Sequence, residues 1–91
     1  MVKEKDIIAR LPELVKALTP VPDMAALLDI NESELRFLLD EPDNQVGKTF
    51  RRLLAEEAFK IRQRNIELAD AGSPTAAEAV AGHLSQMLAS L

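Results

Sequence analysis

Four basic side chains, Lys48, Arg51, Arg52 and Arg62, fall on one side of a single stretch with helical spacing. Residues of this type in this pattern do one kind of chemistry well: they neutralise phosphate oxygens, and that neutralisation supplies most of the affinity of proteins for nucleic acid. Their surroundings sharpen the contrast. Residues 44–65 carry six basic groups against Glu56 and Glu57, a net +4, in a chain whose formal net charge is −4. Residues 23–43 carry seven acids against Arg36, a net −6. A solvated helix face laced with the i,i+4 pairs Arg52–Glu56 and Glu56–Lys60 accounts for the same basic residues without a ligand.

Catalytic and metal chemistry find less support. His83 is the only histidine and has no neighbouring ligand at metal spacing, so a structural role is expected of it. Glu56 and Glu57 are adjacent and do not share a helical face. There is no glycine-rich phosphate loop and no nucleophile–base pair, so no enzyme and no cofactor are expected. The absence of cysteine excludes a disulfide scaffold and thiolate ligation, and fits a cytoplasmic location. Met1-Val2-Lys3-Glu4-Lys5-Asp6 has no apolar core of a leader, and no window reaches the ~20 apolar residues of a membrane span.

The elements that position the basic residues follow from apolar spacing. With 91 residues, 47% of them apolar and only 3% aromatic, the chain reads as one all-α domain of five helices. Ile7, Leu11, Leu14 and Leu18 mark a helix over residues 4–18, with a kink expected at Pro12. Thr19-Pro20-Val21-Pro22 is expected to be extended, because each proline pushes its predecessor out of the helical region. A short helix over 24–28 begins at or beside Asp23, and a third over 32–39 is capped by Asn31 with Glu34 three residues on. Leu35, Leu38 and Leu39 form its buried side.

The longest stretch, 46–71, is the fourth helix. Val46, Phe50, Leu53, Leu54, Ala58, Ile61 and Leu68 are expected to face the core. Ala55, Phe59 and Ile66 form a second apolar strip among the basic residues, and such a strip predicts an interface with another subunit. Gly72 ends this helix, Ser73 and Pro74 open a fifth over 75–90, and the short connection predicts an antiparallel hairpin. Its packed face is expected at Ala77, Val80, Ala81, Leu84, Leu88 and Leu91. The domain thus reads as two parts, 1–45 and 46–91.

Residues 23–39 have the form of a helix-turn-helix, with Ala25 allowing close approach, Leu28 and Ile30 flanking the turn, and Leu35 packing back. With Thr49-Phe50-Arg51-Arg52 and the stretch from Glu67 to Ala77, the chain resembles the small-terminase proteins of tailed phages and prophages over about residues 20–90. The resemblance implies an N-terminal DNA-binding helix-turn-helix followed by a hairpin that assembles a ring of subunits. It implies a role in viral DNA packaging beside a large-terminase partner. Ser33 and Arg36 would point at DNA, and Ala55, Phe59 and Ile66 at a neighbouring subunit. The departures are an acidic second helix, with Glu32 and Glu34 at its start, and no further segment after the hairpin. Two other readings fit the same residues: a helical module that binds a protein partner and no DNA, and a small helix-turn-helix transcription regulator.

Overall fold

The computed structural model describes residues 4–91; Met1, Val2 and Lys3, part of the charged start discussed above, lie outside the described residues. The fold is all-α, with five helices: α1 Glu4–Lys16, α2 Val21–Leu28, α3 Glu32–Asp40, α4 Gln45–Asp70 and α5 Pro74–Ala89. Two compact units divide inside α4, the first reaching Glu57 and the second running from Ala58 to Leu91.

In the first unit the apolar positions of four helices converge on one core. Ile7, Leu11, Leu14 and Val15 come from α1, Met24, Ala25 and Leu28 from α2, Leu35 and Leu39 from α3, and Val46 from α4. Ile8, Val21, Ile30, Leu38, Phe50 and Leu53 pack around them. The Arg10 guanidinium donates from Nη1 to the Leu27 carbonyl at 2.8 Å, tying α1 to the end of α2.

Three local features refine, correct or add to the sequence expectation. First, α1 continues through Pro12 as one helix but ends at Lys16, short of the expected residue 18, and Leu18 takes a left-handed conformation (φ 56°). That conformation lets the Thr19 N–H donate to the Leu14 carbonyl at 3.1 Å, closing the helix end. Second, Val21 and Pro22 are helical, not extended. Pro20 is the N-cap, with φ −62° and ψ 152°, and Pro22 lies in the first turn, where its missing N–H forfeits no helical bond. Third, Asn44 acts as a cap: its Oδ1 accepts from the Val46 N–H at 2.7 Å, and its Nδ2 donates to Glu4 Oε1 at 3.3 Å.

The joint between α3 and α4 depends on Gly47. It is buried, and a Cβ added there would lie 2.6 Å from the Glu41 carbonyl oxygen and 3.0 Å from those of Leu38 and Leu39. These are backbone atoms, which cannot swing aside. A helical Gly→Ala change ordinarily adds up to ~1 kcal/mol of stability; Gly47→Ala should instead cost about 1–3 kcal/mol, the usual range for overpacking, read as a lower midpoint in chemical denaturation. Leu18 gives the opposite sign. It is 66% exposed and holds a conformation that costs an L-residue about 1–2 kcal/mol, so Leu18→Gly should raise the same midpoint.

Candidate functional site

The α2–α3 segment places its scaffold residues inside. Asp29 adopts the left-handed conformation after α2 (φ 56°, ψ 46°), and the Ile30 N–H donates to the Ala25 carbonyl at 3.1 Å. Asn31 then caps α3, its side chain accepting from the Ser33 N–H at 2.8 Å and the Glu34 N–H at 3.4 Å. Ala25, Leu28 and Leu35 are buried and Ile30 is half-buried, as their spacing predicts. The outward side of α3 is acidic and apolar. Ser33, Glu34, Phe37 and Leu38 line a shallow hollow, and Phe37 is 67% exposed. Arg36 is exposed, and its Nε donates to Glu32 Oε2 at 2.9 Å.

The basic residues of α4 are all exposed. Lys48, Arg51 and Arg52 belong to the first unit and Arg62 to the second. Arg51 donates from Nη2 to the Pro42 carbonyl at 3.3 Å, and Arg52 from Nη1 to Glu56 Oε1 at 2.8 Å. Lys48 and Arg62 have no ion-pair partner among the described residues. Exposed pairs such as Arg52–Glu56 contribute about 0–1 kcal/mol and weaken with salt, so a phosphate can take the place of the Glu56 carboxylate at small cost. Among the described residues no group of three histidines or acids could hold a metal ion, and no helix is long and apolar enough to cross a membrane.

Ala55, Phe59 and Ile66, the residues expected at an interface, are exposed too, Phe59 at 58% and Ile66 at 48%. The structure also corrects the expected core face of α4. Val46 is buried and Phe50 and Leu53 are half-buried, but Leu54, Ile61 and Leu68 are exposed. In the second unit the half-buried residues of α4 are Ala58, Asn65 and Ala69, at i, i+7 and i+11. On α5 the covered residues are Ala76, Ala79, Val80 and His83, whereas Ala77, Ala81, Leu84, Leu88 and Leu91 of the expected face are exposed. Asn65 Nδ2 lies 3.1 Å from His83 Nε2, and the amide donates to the ring nitrogen.

The physical reason is size. The covered positions are mostly small, and the large apolar side chains flank them. Sequence periodicity found both strips of α4 but assigned one to the interior; the alanines at 58 and 69 were the available signal that the covered line runs between them.

The second unit therefore keeps one buried residue, Ala76. Phe59, Ile61, Ile66, Leu68, Leu84, Met87 and Leu88 are each 39–58% exposed. A groove of about 670 Å³ runs among Ile66, Val80, His83, Leu84 and Met87, with Arg62 at its margin. Phe59 and Ile66 lie on the opposite side of α4 from Ile61 and Leu68, so one contact covers at most five of these side chains. With full burial worth about 1.5–3 kcal/mol each, covering their exposed half offers roughly 4–8 kcal/mol per copy. Association costs about 4–15 kcal/mol, a range that a pair of such surfaces can meet.

Comparison with known protein families, with curated proteins and with solved structures finds no match.

Because Phe59 is mostly outside and lies in the second unit, Phe59→Asp should leave the amide-exchange protection of α1–α3 unchanged. It should shift sedimentation toward the monomer by at least tenfold in the association constant. An unchanged sedimentation profile would remove Phe59 from any interface.

Proposed function

We propose that the protein is a non-enzymatic, self-associating DNA-binding adaptor of the small-terminase kind, acting in the cytoplasm in viral DNA packaging beside a large-terminase partner. The observation that carries the self-association is the apolar surface of the second unit, where Ala76 alone is buried. DNA contact is assigned to Lys48, Arg51 and Arg52, which stand at i, i+3 and i+4 on the exposed side of α4, with Arg62 further along the same helix. Contacts of this kind bind phosphates and position a duplex; they do not read bases. Ser33 and Arg36 are the candidates for base contact from α3. Glu32 and Glu34 beside them repel a phosphate wall, so affinity in this reading comes from α4.

One observation favours a second reading, a module that binds a protein partner and no DNA. The outward side of α3 joins an exposed Phe37 to an acidic border, a combination suited to a basic, apolar partner segment.

Titration of the full chain against duplex DNA at several salt concentrations separates the two. The adaptor reading expects log K to fall with log salt by ~0.9 for each phosphate neutralised, and Arg51→Glu with Arg52→Glu to abolish binding. Binding that survives the double change assigns DNA contact elsewhere. No binding at low salt leaves the protein-partner reading.

A further inference from the structure

The second unit is neutral as a whole but polarised along its length. Lys60, Arg62 and Arg64 lie in the half of the unit's α4 segment away from the turn at Ala71–Ser73, and Glu67, Asp70 and Glu78 lie nearer that turn on either side, with Arg64 Nη1 and Glu67 Oε2 3.7 Å apart where the two groups meet. From Ala79 to Leu91 the chain has no Asp, Glu, Lys or Arg. The exposed apolar side chains Phe59 and Ile66 stand among these charges on α4, and Leu84, Met87 and Leu88 lie in the uncharged stretch of α5.

We infer that the partner covering this surface is the same surface of a second copy, docked antiparallel about a two-fold axis. This rests on the self-association proposed above and specifies its geometry. Two observations select the occupant. A unit of this size with one buried residue needs a cover whenever it is folded, and a second copy is present wherever the chain is. The charge pattern is also self-complementary in one orientation only. Antiparallel docking sets the basic end of each copy against the acidic turn of the other, whereas parallel docking sets like charges together. The contact is isologous, so assembly proceeds by pairs, unlike the ring of subunits that the small-terminase resemblance implies.

The chain contains no cysteine, which makes single cysteines clean reporters. Ala71→Cys marks the turn and Ala89→Cys the far end of α5; both positions are exposed. With a short bis-maleimide, an equimolar mixture of the two variants should give covalent dimers at least tenfold faster than either variant alone. Charge reversal supplies the second arm. Arg62→Glu with Arg64→Glu, and Asp70→Lys with Glu78→Lys, should each weaken self-association at least tenfold, and mixing the two should restore it as a heterodimer. Efficient cross-linking of Ala71→Cys to itself, or no rescue on mixing, overturns the antiparallel pair while leaving self-association in place. A wild-type chain that sediments as a monomer at all accessible concentrations, with no cross-linking in any mixture, overturns both.

Discussion

Helices hold together in water by removing apolar surface from it, and the second unit of this chain has too little to remove within itself. The covered positions of this unit are mostly small, Ala58, Asn65 and Ala69 in α4 and Ala76, Ala79, Val80 and His83 in α5, and Asn65 reaches His83 across the two helices. Small residues permit a close approach but carry little transfer free energy. The large side chains of both helices flank these positions and stay wet. The Asn65–His83 hydrogen bond fixes register between the helices, yet a single half-buried hydrogen bond contributes only about 0.5–1.5 kcal/mol net. Whatever covers the flanks therefore decides whether this part of the chain is firmly ordered, and the proposed self-association rests on that shortage.

The first unit has no such shortage. Ten buried apolar residues from four helices form one cluster, and among the described residues no polar or charged side chain is buried with them. Its helix ends are closed locally: Leu18 and Asp29 are left-handed after α1 and α2, Asn31 caps α3, and Gly47 lets α4 start against the carbonyls at the end of α3. The two exposed surfaces of this unit differ in chemistry. The outer side of α3 is acidic around Phe37, and the outer side of α4 is basic. Arg52 and Arg36 are held by carboxylates one helical turn away, in solvent, where such pairs exchange readily.

Much of the fold was legible because helices announce themselves locally. Apolar spacing gave five helices in order, Asn31 and Ser73 gave their caps, and Ala25, Leu28 and Leu35 gave the packing of α2 on α3. The misses have physical causes. Val21 and Pro22 read as extended because prolines oppose helix interiors, but the first turn needs no N–H from them. Gly47 carried no signal, since what requires a glycine is the close approach of carbonyls six to nine residues earlier in the chain, not its sequence neighbours. Leu54, Ile61 and Leu68 kept the period of a buried face; periodicity reports that a face is apolar, not which neighbour covers it. The candidate site was legible as exposed basic and apolar residues on one helix. That the helix is shared by two units was not, because no proline, glycine or polar run marks the division at Glu57.

The central claim is that the order of residues 58–91 depends on a second copy. Amide hydrogen exchange along α5, followed over a range of protein concentrations, tests it most directly. The account predicts protection in α5 that rises with concentration while protection in α1–α3 stays constant. Equal and concentration-independent protection in α5 and in the first unit, in a chain that remains a monomer, would contradict it.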